Sequence, residues 1–124
     1  MILLAALLAT AQPTPIDAAP PATVSDYLRC IDEAGVTLLS AHRGGPEPGF
    51  PENALETFER ALSIGPMLIE TDVRQTADGV YVLMHDRDLE RTTTGEGEVA
   101  ETLWAELSTY RLVDNDGAET GFRT

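Results

Sequence analysis

The chain has 124 residues, 43% of them hydrophobic, and its 21 acidic and 8 basic side chains give a formal net charge of −13. The length suffices for one small domain or for part of a larger one. Because nucleic acids attract basic surfaces, so acidic a chain disfavours binding to them, and we expect no nucleic-acid partner. All eight basic residues are arginines, so an arginine beside a polar motif is a candidate functional residue.

The first eleven residues form an apolar stretch that ends in Ala9-Thr10-Ala11. The stretch is too short to cross a bilayer, which takes roughly 20 residues, so we expect no stable membrane anchor. Its end fits the small-x-small pattern of a signal-peptidase site, but no basic residue precedes it. We therefore predict a signal peptide over 1–11 and export to the periplasm or medium, with a cytoplasmic location as the alternative.

A linker and a short helix are predicted over residues 12–35. Residues 12–23 contain four of the eight prolines, a composition typical of a linker. Ser25 is predicted to cap a helix over 26–34, and Gly35 is predicted to end it.

Strand and helix patterns alternate over residues 36–124. Strands are predicted at 36–41, 66–73 and 80–84, and a helix is predicted to start at Asn53 and end at Gly65, with Glu56 completing a capping box. The first two strands and this helix fit a βαβ unit with parallel strands. The turn at 77–79 is too short for a second crossover helix. Further on, the sequence predicts a helix over 102–110, with Leu103 and Leu107 on one face, and a turn at 114–117.

A pair of carboxylates lies at the end of the second predicted strand. Alternation along a strand points Glu70 and Asp72 to the same side, where they repel each other unless a cation joins them. Carboxylate oxygens suit a hard divalent cation, Mg²⁺ or Ca²⁺. Taken alone, such a pair is more often two solvated carboxylates than a metal site.

Both histidines follow apolar strands. His42 and His85 could accept and donate protons near neutral pH, although an isolated histidine at such a place is often structural. Arg43 carries a planar fork suited to phosphate oxygens, or to a surface ion pair. Asp86 could orient an imidazole or cap the next turn. Together with the carboxylate pair, these residues predict a metal-assisted site for a phosphate ester.

The ordered set of motifs resembles the glycerophosphodiester phosphodiesterases from Leu38 to about Gly117, and it is far more specific than any single motif. The motifs are Ala-His-Arg-Gly at 41–44, Pro-Glu-Asn at 51–53, Ile-Glu-Thr-Asp-Val at 69–73, Thr-Ala-Asp-Gly at 76–79, His-Asp at 85–86 and Leu-Glu-Arg-Thr-Thr at 89–93.

This resemblance implies an α/β fold, the (β/α)₈ barrel, with the active site at the carboxyl ends of the strands and a small glycerophosphodiester as substrate. It assigns His42 and His85 as general acid and base, Arg43 as a phosphate contact, Glu70 and Asp72 as ligands of Mg²⁺ or Ca²⁺, and Glu52, Asn53 and Asp86 as residues lining the site. The expected reaction is metal-dependent hydrolysis to glycerol 3-phosphate and an alcohol.

Two departures from the family pattern stand out. Ala54 takes the place of the usual threonine after Pro-Glu-Asn, which should affect only the start of the helix. A barrel of this type takes about 250 residues, so residues 36–124 are expected to be its N-terminal part, with a further metal carboxylate lying on a later strand. We therefore expect the chain alone to be poorly folded and inactive.

Other functions remain open at this point. One is a phospholipase D of the sphingomyelinase kind on the same barrel, and another is a noncatalytic module that binds phosphodiesters. A third is a truncated product without function. The sequence does not decide the released alcohol, the roles of the two histidines, the cation or the oligomeric state.

Overall fold

A computed structural model describes residues 22–123. The predicted signal peptide and most of the predicted linker lie outside the described residues. The described part divides into two units with a boundary between Val36 and Thr37. Within residues 22–123, no helix combines the length and the apolar character that crossing a bilayer requires.

The first unit contains one helix, α1 (Val24–Glu33). Its N-cap is Thr23, whose hydroxyl accepts a hydrogen bond from the Asp26 amide at 3.1 Å. The prediction that Ser25 caps this helix is therefore wrong, because Thr23 already satisfies a free amide of the first turn. Gly35 follows the last turn with φ +64°, as predicted for a residue that ends a helix.

The second unit has strands and short helices in alternation. In chain order they are β1 (Ser40–Ala41), a 3₁₀ turn (His42–Gly44), α2 (Leu55–Ile64), β2 (Leu68–Ile69), β3 (Val73–Gln75), β4 (Tyr81–Leu83), a second 3₁₀ turn (Val99–Glu101), α3 (Trp104–Leu107), β5 (Arg111–Val113) and β6 (Glu119–Arg123).

The predicted βαβ unit is present. β1 and β2 pair in parallel, with Ser40 opposite Leu68 and Ala41 opposite Ile69, and α2 connects them. Both strands are shorter than predicted, and Gly65 ends α2 as expected. This pairing places the residues that follow each strand, His42 and Glu70, at one edge of the small sheet.

The predicted strand over 66–73 is in fact two strands, which is a correction. Between β2 and β3, the Asp72 amide donates to the Asn53 side chain at 3.0 Å, and the Asp72 carbonyl accepts from the Met84 amide. Because the Asp72 amide bonds to a side chain and not to a neighbouring strand, the strand is interrupted here. β3 then pairs antiparallel with β4 through the predicted turn at 77–79, where Gly79 has φ +85°.

The predicted start of α2 is also corrected. Asn53 does not cap this helix, because its side chain bonds to residues 71 and 72. Ala54 is the N-cap and supplies no side-chain acceptor. A threonine here could accept from the first turn, so the departure at position 54 costs α2 a capping hydrogen bond.

The core of the second unit lies between the β3–β4 hairpin and the segment that follows it. It consists of Val82, Met84, Leu89, Val99 and Leu107, with Trp104 and Tyr110 packed against it. The predicted helix over 102–110 shrinks to the single turn of α3, and Leu103 is 54% exposed while Leu107 is buried. The expected shared face is therefore wrong.

A second hairpin, β5–β6, follows α3 and is not predicted by the sequence. Its turn at 114–117 is predicted, and Asp114 closes it by accepting from the amides of Asp116 and Ala118. The two strands pair antiparallel with an irregularity between Arg111 and Val113.

Candidate functional site

The His-Arg-Gly motif forms a tight turn directly after β1. Arg43 has φ +52° and Gly44 has φ +88°, both in the left-handed region. A Cβ on Gly44 would lie 2.4 Å from the ring of Phe58, so this position requires glycine for space as well as for conformation. The turn leaves His42 exposed and directs Arg43 inward, where its side chain is only 18% exposed. A left-handed arginine is uncommon, and such backbone conformations concentrate at functional sites.

Three carboxylates surround Arg43. Its main-chain amide donates to Glu70 Oε2 at 2.9 Å, and its Nη1 donates to both oxygens of Glu52 at 3.0 and 3.1 Å. Its Nε lies 3.5 Å from Asp72 Oδ2. That Nε is buried and makes no hydrogen bond in the described part of the chain. Arg43 thus contacts both of the predicted metal ligands, Glu70 through its main chain and Asp72 through its side chain.

Asn53 ties these segments together. Its Oδ1 accepts from the Thr71 hydroxyl at 2.8 Å and from the Asp72 amide, while its Nδ2 donates to Asp72 Oδ2 at 3.1 Å. Its own amide donates to the Arg43 carbonyl, and its backbone is left-handed with φ +57°. The buried Asn53 therefore holds Asp72 in place rather than only lining the site.

The second histidine belongs to a hydrogen-bonded chain. His85 Nδ1 lies 2.7 Å from Asp86 Oδ1, and Arg91 Nε donates to Asp86 Oδ2 at 2.5 Å. The hydrogen bond from Arg91, and after it the one from His85, holds the pKa of Asp86 well below its usual range. Of the two roles that the sequence left open for Asp86, the structure shows contact with the imidazole.

Glu52 joins the two halves of the site. It is 5% exposed and accepts from Arg91 Nη1 and Nη2 at 3.0 and 2.8 Å, in addition to its bonds from Arg43. Burial raises the pKa of Glu52, but the hydrogen bonds and positive charges of Arg91 and Arg43 outweigh it, so the pKa is lowered. In turn, the hydrogen bond to Glu52, followed by the one to Asp86, raises the pKa of Arg91 above its ordinary range.

Arg91 is absent from the residues that the sequence predicts for the site. Two signals could have found it. It stands in the Leu-Glu-Arg-Thr-Thr motif, and it is one of only eight basic residues in a strongly acidic chain. Its contacts complete one network of hydrogen bonds. The network runs from Arg43 to Glu52, from Glu52 to Arg91, and from Arg91 through Asp86 to the His85 ring. The His42 imidazole makes no hydrogen bond to another residue within 22–123.

A cavity of about 410 Å³ opens beside this network. Its lining residues are Arg43, Glu52, Arg91, Asp114, Asn115 and Gly117. The far wall is the β5–β6 turn, which the Gly49 amide anchors by donating to Asp114 Oδ2 at 2.7 Å. Two guanidinium groups on one wall suit an anion, and the lining contains no apolar side chain.

Comparison with known proteins identifies the family. The model of the glycerophosphoryl diester phosphodiesterase family matches residues 42–122. The chain belongs to this family. The match begins at His42 and contains every residue of the network described above, so the fold and the candidate site belong to the same glycerophosphoryl diester phosphodiesterase segment.

Relatives of this phosphodiesterase family support the assignment. A glycerophosphodiester phosphodiesterase of Caldanaerobacter subterraneus subsp. tengcongensis is 44% identical over 71 residues, which are 57% of this chain and 29% of that protein. A crystal structure of a glycerophosphoryl diester phosphodiesterase from Parabacteroides distasonis is 50% identical with a TM-score of 0.68, covering 69% of this chain and 30% of that one.

A third relative was solved with a bound product. The structure of an Oleispira antarctica phosphodiesterase in complex with sn-glycerol-3-phosphate is 35% identical with a TM-score of 0.56, covering 64% of this chain and 32% of that one. The solved relatives are TIM barrels. The chain thus spans less than one third of the length of these three proteins, and it shares the α/β fold of their matching part.

The donor chemistry of Glu70 and Asp72 fits a hard cation. One oxygen of each carboxylate accepts a hydrogen bond, and the other accepts none from the residues described. Mg²⁺ commonly takes one or two carboxylates together with waters and substrate phosphate. Within residues 22–123, no group of three or more His, Cys, Asp and Glu side chains lies close enough to hold a metal ion.

Proposed function

We propose that the protein hydrolyses a glycerophosphodiester to glycerol 3-phosphate and an alcohol. The observation that carries this proposal is the convergence of Arg43 and Arg91 on the buried Glu52 at the wall of a polar cavity. The cationic fork of Arg43, fixed in this way, can bind a phosphodiester anion. The bound product of the Oleispira antarctica relative is consistent with such a substrate.

The chemistry follows from the groups around the cavity. Arg43 binds the phosphodiester and offsets the negative charge that develops on its oxygens in the transition state. One imidazole, of His42 or His85, removes the proton from the attacking oxygen, and the other protonates the leaving alkoxide. When bound by Glu70 and Asp72, a divalent cation supplies polarisation of the phosphoryl oxygens.

The lining of the cavity favours a water-soluble substrate over a membrane lipid. Acyl chains bind to apolar side chains, and the cavity beside the arginines is lined by charged residues, Asn115 and Gly117. This composition favours glycerophosphodiesters over sphingomyelin, the substrate of the alternative phospholipase D.

The test compares the two substrates in the longest form of the protein that its reading frame encodes. With Mg²⁺ or Ca²⁺ present, we expect release of choline and glycerol 3-phosphate from glycerophosphocholine, and little release of choline from sphingomyelin vesicles. The His42→Ala/His85→Ala double variant is the blank. Preferential cleavage of sphingomyelin would favour the phospholipase D, and binding of glycerophosphocholine without turnover would indicate the noncatalytic module.

We also propose that Glu70 and Asp72 hold the divalent cation. Glu70→Gln and Asp72→Asn should each weaken Mg²⁺ or Ca²⁺ binding by at least ~10-fold. Replacing a residue that only hydrogen-bonds to a metal ligand already lowers metal affinity by about this factor. Titration calorimetry measures this independently of turnover, and chelation should abolish the activity of the parent. Glu59→Gln, the same charge change on the exposed face of α2, is the matched control. Unchanged cation affinity in both site variants would remove these carboxylates from the metal site.

A further inference from the structure

We propose that Arg91 is a positioning residue that acts on His85 through Asp86. In this role Arg91 holds the Asp86 carboxylate against His85 Nδ1, so that the imidazole keeps its proton on Nδ1 and offers Nε2 for proton exchange with the substrate. The inference rests on the proposed function, because it deepens the part that His85 plays there.

The geometry supports a relay of three fixed contacts. Glu52, almost fully buried, holds both terminal nitrogens of Arg91, at 2.8 and 3.0 Å. This fork–fork contact orients the guanidinium so that its Nε meets Asp86 Oδ2. The other oxygen, Asp86 Oδ1, lies 2.7 Å from His85 Nδ1. Each partner in the series is therefore oriented by the one before it.

The proton can be placed from this arrangement. The hydrogen bonds from Arg91 and His85 keep the pKa of Asp86 low, so its carboxylate is ionised near neutral pH and can only accept. Nδ1 of His85 must then be the donor, and in the neutral imidazole the lone pair lies on Nε2. A proton taken from the attacking oxygen, or given to the leaving alkoxide, passes through Nε2 in either case.

The main chain of His85 is fixed independently. Arg74 on β3 donates from Nε to the His85 carbonyl at 2.8 Å. This contact does not involve the ring, so loss of Arg91 should release the imidazole while the backbone of residue 85 stays in place.

Arg91 also lines the cavity, and a direct contact with the phosphodiester is the competing role. The two roles predict different kinetics. A group that binds substrate and transition state alike changes KM, whereas a group that orients the proton-transferring ring changes kcat. Misplacing a reacting group by about 1 Å can cost ~10²-fold in rate.

The experiment combines kinetics with ¹⁵N spectroscopy of the histidine rings in the longest form that the reading frame encodes. We expect Arg91→Gln to lower kcat for glycerophosphocholine by at least ~10-fold with KM near that of the parent. In the substrate-free protein, the Nδ1–H tautomer of His85 should dominate in the parent and lose its dominance in Arg91→Gln. The His85→Gln variant assigns the resonance.

Four further variants sharpen the test. Asp86→Asn should reproduce the loss in kcat, and the Arg91→Gln/Asp86→Asn double variant should lose little more than either alone, because both act through one contact. Arg91→Lys keeps the charge without the fork and should restore part of kcat. Arg87→Gln, at an exposed arginine two residues from His85, is the matched control and should leave both readouts unchanged.

Several outcomes would overturn the proposal. They are a rise in KM with kcat intact, additive losses in the double variant, or an unchanged His85 tautomer in Arg91→Gln. If Arg91→Gln fails to fold, Asp86→Asn and Arg91→Lys carry the same test. A protein that hydrolyses no phosphodiester but shows the tautomer change would overturn the proposed function and leave the contact from Arg91 to the His85 ring standing.

Discussion

Replacement of His42 or His85 by alanine should lower kcat for glycerophosphodiester hydrolysis by at least ~10²-fold, the usual scale for general acid–base groups. The His85 ring lies against Asp86 at one end of the network, and His42 directly precedes Arg43 in the chain. Steady-state kinetics with glycerophosphocholine measures the effect, and an unchanged KM would indicate that Arg43 still binds the substrate.

The two histidines differ in how strongly the protein holds them. His85 bonds to Asp86, so His85→Gln, which keeps a polar side chain, is the variant that separates loss of proton transfer from loss of packing. His42 is exposed, and its replacement should leave the unfolding midpoint unchanged. Near-normal turnover by either alanine variant would exclude that histidine from the mechanism.

Glu52→Gln should be the most destabilising single change in the site. Breaking a buried ion pair typically costs 3–5 kcal/mol, and we expect about 3 kcal/mol here, because the Arg91 side chain is 46% exposed and water can solvate it. Arg43 and Arg91 would then repel each other across a neutral amide, so substrate affinity and kcat should both fall. Urea unfolding measures the loss of free energy.

The same variant should change the dependence of stability on pH. The pKa of Glu52 is lowered in the folded protein from its ordinary value of 4.5, since its hydrogen bonds with the arginines outweigh its burial. Its contribution is therefore complete above pH 4.5 and is lost as the pH falls through the lowered pKa, where the unfolded chain binds the extra proton. In Glu52→Gln, the free energy of unfolding should therefore fall less steeply as the pH is lowered below 4.5.

The matched control for this prediction is Glu47→Gln. Glu47 forms an ion pair with Arg60, but both side chains are more than 40% exposed, and surface pairs contribute little. Stability of Glu52→Gln close to that of Glu47→Gln would show that the arginines do not depend on the buried carboxylate.

Features that depend on neighbouring residues could be predicted from the sequence. The turns at 77–79 and 114–117 are present because Gly79 and Gly117 adopt positive φ and because Asp114 accepts from amides two and four residues on. The parallel βαβ unit follows from apolar periodicity, and the order of the motifs identified the family, which the comparisons confirm. Seven of the eight predicted site residues also enter one contact network: Arg43, Glu52, Asn53, Glu70, Asp72, His85 and Asp86.

The tertiary structure alone decided which partners the buried polar side chains Glu52 and Asn53 take. Asn53 has a good local reason to cap α2, but it bonds to Thr71 and Asp72, because the fold brings a segment 18 and 19 residues away against it. Arg91 lies 39 residues from Glu52, and no local pattern marks that pair. Helix and strand periodicities in the sequence indicate which residues face the core. A buried charge, in contrast, pairs with the opposite charge that the folded chain places within hydrogen-bonding distance. The sequence by itself therefore determined the family and the candidate residues, and only the folded chain determined that Glu52 and Arg91 join the two halves of the site.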